Sequence, residues 1–288
     1  MLPVTPFDEG TEAVNYEKLE NQLEYMIKKG AHGLVTTGST GEFASLTEEE
    51  RKKVAQVSVD VVNKRTPIVI GASATTTRET IMYCKHAEDI GADGVMLVHP
   101  YYCLPKEREL YEHYRNVSEA INIPIIIYNN PYTSGVDASP ELLSRLTEFK
   151  NIRYVKEATG DVTRVTDIIR LTSGRLKVLQ GWDNIVFESF ASGAVGWIAG
   201  TADVIPDLSI QLYEASCVEK DMEKAREIWY RMLPIGNMLE REGVFVAAIK
   251  AGLNMQGIDV GIPRRPLLPL QEPDESRLRR MLQDIGVL

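Results

Sequence analysis

Cysteine is scarce in this 288-residue chain, with only Cys84, Cys103 and Cys217. No two of them form a CxxC pair and three thiols cannot build a disulfide framework, which is the usage expected of a reducing, cytoplasmic compartment. Histidine is nearly as rare. His32, His86, His99 and His113 are scattered, with no HxH or HExxH spacing, so metal-dependent chemistry is disfavoured. Basic side chains are outnumbered, 32 Lys plus Arg against 41 Asp plus Glu, for a formal charge of −9. Nucleic acid and anionic membrane surfaces both need a basic face that displaces counterions, and none is visible. Long apolar runs are missing too: stretches such as residues 124–128 fall far below the roughly 20 residues of a membrane span. The N-terminus lacks a basic segment followed by an apolar one, and no GxGxxG fingerprint follows a strand, so a dinucleotide is not expected.

What is present is a rhythm. Eight short runs rich in β-formers, at 2–7, 33–39, 67–73, 94–100, 124–130, 154–159, 177–183 and 196–200, alternate with longer amphipathic stretches. Runs such as Ile68, Val69, Ile70 and Ile125, Ile126, Ile127 are continuously apolar, as parallel strands covered on both faces should be. Helical stretches are expected at 15–29, 47–63, 76–90, 106–120, 139–149, 161–171 and 184–192; the second opens on Thr47 followed by three glutamates, a good cap for a helix N-terminus. Eight β-then-α units in about 200 residues fit a closed (β/α)8 barrel better than an open doubly wound sheet. After Gly200 the pattern turns helical, at 207–218, 221–242, 244–255 and 274–285, with a proline-rich connector at 262–269. The expected organisation is a barrel over residues 1–222 and a C-terminal helical region over 223–288.

Barrels carry their chemistry at the C-terminal ends of strands. Among those positions Lys156 is the single lysine. A buried ammonium is poorly solvated, which favours the neutral amine, the species that attacks a carbonyl to form a Schiff base. A strand-end lysine equally well snorkels to solvent or pairs with Glu157, and the strand argument leaves these readings open. Tyr128 ends the strongest strand; its phenol suits the proton transfers that imine formation requires, and Ser39, Thr40 and Tyr102 are hydroxyls at other strand ends. Residues 38–42 (GSTGE) offer consecutive backbone N–H groups of the kind that hold an anion, and without a following Gly-Lys-Ser/Thr a small carboxylate suits them better than a nucleotide. Glu42 reads as the residue tying that loop to the backbone.

Taken in order, VTPF at 4–7, GSTGE at 38–42, PYY at 100–102, YNNP at 128–131, Ser134 with Gly135, and KEATGD at 156–161 resemble the dihydrodipicolinate synthase and N-acetylneuraminate lyase family along essentially the whole chain. The resemblance implies a (β/α)8 barrel with C-terminal helices, a homotetramer built from dimers, and no metal or organic cofactor. It makes Lys156 the Schiff-base lysine, Tyr128 the proton shuttle, Ser39 the relay hydroxyl, and Tyr102 the relay tyrosine that enters a neighbouring subunit's site. The backbone of Ser39 and Thr40 would hold a 2-oxo acid carboxylate, and Gly181 and Ile198 would line the site. Two departures bear on substrate. Dihydrodipicolinate synthases usually carry an arginine two positions after the proline of the YNNP motif, where this chain has Tyr132 and Thr133, and they usually have Thr-Thr where it has Ser39 and Thr40. The sialic-acid lyase pattern is incomplete as well, with Asp183 kept but Asn184 where that subfamily favours glutamate.

The expected function is therefore a Schiff-base lyase or aldolase of a small 2-oxo acid, such as pyruvate or a 2-oxo-3-deoxy acid, releasing pyruvate or acting by dehydration or deamination. The alternatives are condensation of pyruvate with aspartate semialdehyde and, remotely, a non-catalytic binding barrel. Asp183, Thr133, Tyr132 and Thr201 are the candidates for recognising the substrate's tail, and the expected partners are that substrate and further copies of the chain.

Overall fold

Short apolar strands and capped helices alternate through most of the chain, and the computed structural model describes all 288 residues. Two compact units result, one of residues 1–68 and 199–288, the other of residues 69–198.

In the first unit the N-terminal segment is not a strand. The strand expected over 2–7 does not form: only Phe7 makes bridges, both antiparallel, to Val14 and Ile262. Pro3 and Pro6 remove two N–H groups from the run, and a strand interior needs those donors. The segment is anchored otherwise, by the Leu2 N–H donating to Asp203 Oδ1 at 2.9 Å and the Val35 N–H donating to the Met1 carbonyl at 3.0 Å, while Val4 and Phe7 are fully buried. Helix α1 (Tyr16–Lys28) is capped by the Asn15 side chain, and β1 (Leu34–Thr36) follows it. Helix α2 (Glu48–Val62) begins with the anticipated cap: Thr47 Oγ1 accepts from the Glu50 N–H and the Glu50 carboxylate accepts from the Thr47 N–H.

In the second unit each strand is followed by helix. The order is β2 (Ile68–Gly71, whose first residue belongs to the other unit), α3 (Thr77–Asp89), β3 (Gly94–Val98), α4 (Glu107–Ala120), β4 (Ile125–Asn129), α5 (Pro131–Ser134), α6 (Pro140–Leu146), β5 (Ile152–Glu157), α7 (Thr163–Thr172), β6 (Lys177–Gln180), α8 (Val186–Ala191) and β7 (Gly196–Trp197). Every registered pair from β2 to β7 is parallel and joins strands consecutive in the chain. Because helices cover the sheet, β3 and β4 are buried at every position, the physical content of their unbroken apolar runs. Seven strands are present where eight were expected.

The chain then returns to the first unit with α9 (Thr201–Val204), α10 (Pro206–Tyr213) running into a π-helical turn (Glu214–Glu219), α11 (Met222–Arg241), α12 (Phe245–Met255) and α13 (Asp274–Asp284). Helix α12 buries Ala248, Ile249, Lys250, Gly252 and Leu253, and Gly252 lets it pack against Val204, whose Cγ1 would lie 2.7 Å from an added Cβ. No helix is long and apolar enough to cross a membrane.

Gly261 is the glycine this unit can least replace: at φ +64° its Cβ would overlap the Phe7 carbonyl oxygen. Gly261→Ala should lower unfolding stability by more than about 2 kcal/mol. Gly257→Ala, at φ +82° with nothing within 4 Å, should cost about 1 kcal/mol. Chemical denaturation of both variants checks this, and equal losses would refute the steric account.

Candidate active site

The parallel register between β4 and β5 sets Tyr128 opposite Lys156 and Asn129 opposite Glu157. Side chains alternate faces along a strand, so the first pair shares one face and the second pair the other. On the first face the Lys156 amine lies 4.1 Å from the centre of the Tyr128 ring. Both residues are buried, Lys156 at 3% and Tyr128 at 6% exposure, so the snorkelling alternative for Lys156 is not what the fold adopts. The Tyr128 hydroxyl accepts from Asn130 Nδ2 at 2.9 Å, which leaves its own proton for a reacting group.

Gly181 makes room for the lysine. A Cβ there would stand 3.0 Å from Lys156 Cε, 2.9 Å from the Glu157 carbonyl oxygen and 2.8 Å from Ala158 Cβ. Its N–H donates to that same Glu157 carbonyl at 2.7 Å, so the close approach is also hydrogen-bonded. Ile198, just past β7, is 7% exposed and its N–H donates to the Gln180 carbonyl at 2.9 Å. Lys156, Tyr128, Gly181 and Ile198 thus all belong to the second unit.

The other face of the same strand ends holds a polar layer that the motif reading did not assign. Asn129 Nδ2 donates to Asp137 at 2.9 Å and to Glu157 Oε2 at 3.1 Å, and its Oδ1 accepts from the Ala138 N–H at 3.0 Å. His99 Nε2 lies 3.0 Å from that Oδ1 and its Nδ1 lies 2.8 Å from the Tyr114 hydroxyl. With Asn129 Oδ1 as acceptor, Nε2 carries the proton and the imidazole is neutral. Glu157 therefore does not pair with Lys156. It lies 3.5 Å from Arg164 Nε and accepts from the Thr159 N–H at 3.0 Å. Burial drives the titration of both groups: His99 is pushed down to about 4, against the Asn129 hydrogen bond and the Asp137 charge, and Glu157 is pushed above the usual carboxylate range, opposed first by Arg164. Strict period-two alternation next to each motif residue is the signal that would have found this layer.

The turn at 38–42 lies in the first unit. Its consecutive Ser39, Thr40 and Gly41 N–H groups donate to no protein acceptor, although Thr40 and Gly41 are buried. Buried backbone donors are nearly always paired, so the unpaired N–H groups of Thr40 and Gly41, next to the exposed Ser39, have the chemistry that suits an anion. Non-glycine residues in the left-handed region bracket it, Thr37 at φ +54° and Glu42 at φ +53°. The Thr5 hydroxyl donates to the Gly41 carbonyl at 2.6 Å, and Glu42 Oε2 accepts from the Arg264 N–H at 2.9 Å, which ties the loop to backbone as expected.

The remaining candidates are dispersed. Tyr102 is 96% exposed at φ +71°, so a strained backbone presents a large aromatic ring to the outside. Thr133 is exposed on α5, and Tyr132, 70% exposed, stacks at 5.2 Å on Trp182. Asp183 is buried and its Oδ1 accepts from the Trp197 indole at 2.8 Å; Thr201 is buried at the start of α9 in the first unit. A cavity of about 400 Å³ is lined by Pro131, Tyr132, Asp137, Thr159, Asp161 and Arg164. Its one cation, Arg164, is already engaged by Asp137 at 3.0 Å and by the Ala138 carbonyl at 2.6 Å. No three His, Cys, Asp or Glu side chains are grouped to hold a metal ion.

Parallel strands followed by helices, with C-terminal helices beyond them, place the chain in the (β/α)8-barrel class. A dihydrodipicolinate synthase from Aquifex aeolicus matches 100% of it and 97% of its own chain at a TM-score of 0.95 and 33% identity. The chloride-inhibited dihydrodipicolinate synthase of Acinetobacter baumannii, solved in complex with pyruvate, matches 100% and 98% at a TM-score of 0.92 and 37% identity. Among curated relatives, the 4-hydroxy-tetrahydrodipicolinate synthase of Methanopyrus kandleri is 36% identical over 286 residues, 99% of this chain and 95% of that one. The model of the dihydrodipicolinate synthetase family matches residues 1–285. The chain belongs to that family of enzymes.

Because the folded value of His99 lies below its ordinary 6.5, its contribution to stability is complete above pH 6.5 and is lost as pH falls towards about 4. Glu157, shifted upward, works in the opposite sense. Over that interval the wild type should lose about 2–3 kcal/mol more than His99→Gln in denaturant titrations. His113, also depressed to about 4, mainly by burial, remains in both proteins, and only the part of its shift caused by the His99 charge differs between them. Parallel curves would show that His99 is not held neutral.

Proposed function

We propose that the protein is a class I, lysine-imine lyase of small 2-oxo acids, with Lys156 as nucleophile and Tyr128 as proton shuttle. The observation that carries this reading is the buried amine set over the Tyr128 ring beside Gly181. Lys156 Nζ adds to the C2 ketone, and loss of water gives the iminium. Tyr128 takes the proton of the C4 hydroxyl, the C3–C4 bond breaks, and its electron pair moves into the iminium to form an enamine. The aldehyde leaves, the enamine is protonated at C3, and hydrolysis of the imine frees pyruvate and Lys156. The reaction needs no metal or organic cofactor, because the iminium is the electron sink.

Family position supports the remaining roles. Ser39 relays protons to the tyrosine, the Ser39 and Thr40 N–H groups hold the substrate carboxylate, and Gly181 and Ile198 line the reacting end. Tyr102 acts from a neighbouring subunit in a homodimer or homotetramer; an aromatic ring 96% exposed on a strained backbone suits a residue that inserts into another chain. Thr133 and Asp183 are the proposed contacts to the substrate's tail, and the same imine also serves dehydration or deamination of related acids.

The names of the relatives favour a second reading, condensation of pyruvate with aspartate semialdehyde. Against it stands the absence of arginine after Pro131 and the prior engagement of Arg164. Losing a charge-assisted partner for the second carboxylate costs roughly 1.5–3 kcal/mol. The cavity beside Tyr132 holds two aspartates against one arginine and suits an uncharged, hydroxylated tail better than an anionic one.

Turnover on a panel tests this. With 2-oxo-3-deoxy sugar acids, N-acetylneuraminate and hydroxyproline-derived imino acids, at least one member should release pyruvate, ammonia or water, and Tyr128→Phe should lower kcat by about 10²–10⁴-fold. Turnover confined to pyruvate plus aspartate semialdehyde would make the second reading correct.

A further inference from the structure

We infer that Lys250, acting through Glu42, is a positioning residue that holds the 38–42 turn open for the substrate carboxylate; the inference rests on the assignment of that turn to the carboxylate. Lys250 lies in the middle of α12 and is 1% exposed. Its ammonium donates to the Thr5 carbonyl at 2.8 Å and the Ile262 carbonyl at 2.7 Å and forms an ion pair with Glu42 Oε1 at 2.7 Å. Glu42 is itself 5% exposed, and its second oxygen accepts from the Arg264 N–H at 2.9 Å. The loop is gripped on either side of the three unpaired N–H groups. The Thr5 hydroxyl holds the Gly41 carbonyl at 2.6 Å, and the Arg264 guanidinium holds the Ser45 carbonyl at 2.7 Å and the Glu50 carboxylate at 2.7 and 2.8 Å.

Stability alone is a poor reason for this arrangement. Taking a lysine and a glutamate out of water carries a large desolvation penalty, and apolar residues of similar volume often serve a core as well or better. What the pair supplies is a fixed geometry. Glu42 occupies the left-handed region at φ +53° without being glycine, a conformation that persists only where its surroundings over-determine it. Its locked carboxylate does that, and the result is a loop whose N–H groups at 39, 40 and 41 turn away from every protein acceptor. Without Lys250 the Glu42 carboxylate keeps only the Arg264 N–H, and the turn is freer to satisfy its own donors.

A merely structural role and a positioning role separate on substrate charge. The full-length protein is given pyruvate or its uncharged methyl ester, and the second-order rate of borohydride-trapped imine formation is measured for each by intact mass. The wild type should prefer the acid. Lys250→Met and Glu42→Gln should each lose tenfold or more on pyruvate and less than twofold on the ester, and the double variant should lose no more than the worse single one, as members of one unit do. If Lys250→Met does not fold, Thr5→Val, which removes only the hydroxyl gripping the Gly41 carbonyl, should shift the acid-to-ester ratio the same way. Equal losses on acid and ester, or an unchanged ratio in a folded variant, would overturn the inference. A wild type that traps imine without preferring the acid would overturn the carboxylate assignment, and with it the inference. A wild type that traps no imine at all would show that the lyase reading itself is at fault.

Discussion

The register between β4 and β5 is the constraint on which the candidate chemistry depends. Parallel pairing sets Tyr128 against Lys156, and a slip of one residue would offer Asn129 or Glu157 in their place. An amine over an aromatic face, with a phenol one strand away, is meaningful only if that register holds. Both strands are clamped by neighbours, β3 on one side and β6 on the other. Gly181 then fixes how closely the end of β6 approaches, because any side chain there would occupy the space of the lysine stem.

The polar layer behind the pair makes the register costly to break. Asn129 and Glu157, next in sequence to Tyr128 and Lys156, bond to each other and to His99, Asp137 and Arg164. Buried polar groups of this kind are expensive unless every partner is in place, so the layer penalises any displacement of the strand ends. The face carrying Tyr128 and Lys156 can then remain sparsely bonded while its geometry is imposed from the opposite face. The 38–42 turn follows the same logic: its donors stay unpaired because the residues around them are fully committed.

Much of this was legible from residue patterns. Continuous apolar runs located seven strands, Thr47 and its glutamates located a helix start, and the ordered motifs singled out Lys156, Tyr128 and the Ser39–Thr40 turn as candidates. The first strand was misread because apolar content was weighed above the missing donors of Pro3 and Pro6. The shared polar layer of Asn129, Glu157 and His99 was not read because it comes from alternation across paired strands, which no single segment displays. Lys250 was illegible for a stronger reason. It sits in a stretch read only as a helix, and its partners Thr5 and Glu42 lie more than 200 positions away in sequence. Contacts of that span come from the fold. Four-residue α5 was missed because so short a helix has no periodicity to read.

Central to the account is a nucleophilic amine at Lys156. The most direct measurement is to treat the protein with pyruvate and borohydride, weigh it intact beside Lys156→Ala, and map the modified peptide. The account predicts one reduced adduct per chain, located on Lys156 and missing from the variant; no adduct in the wild type, or an adduct that survives in Lys156→Ala, would contradict it.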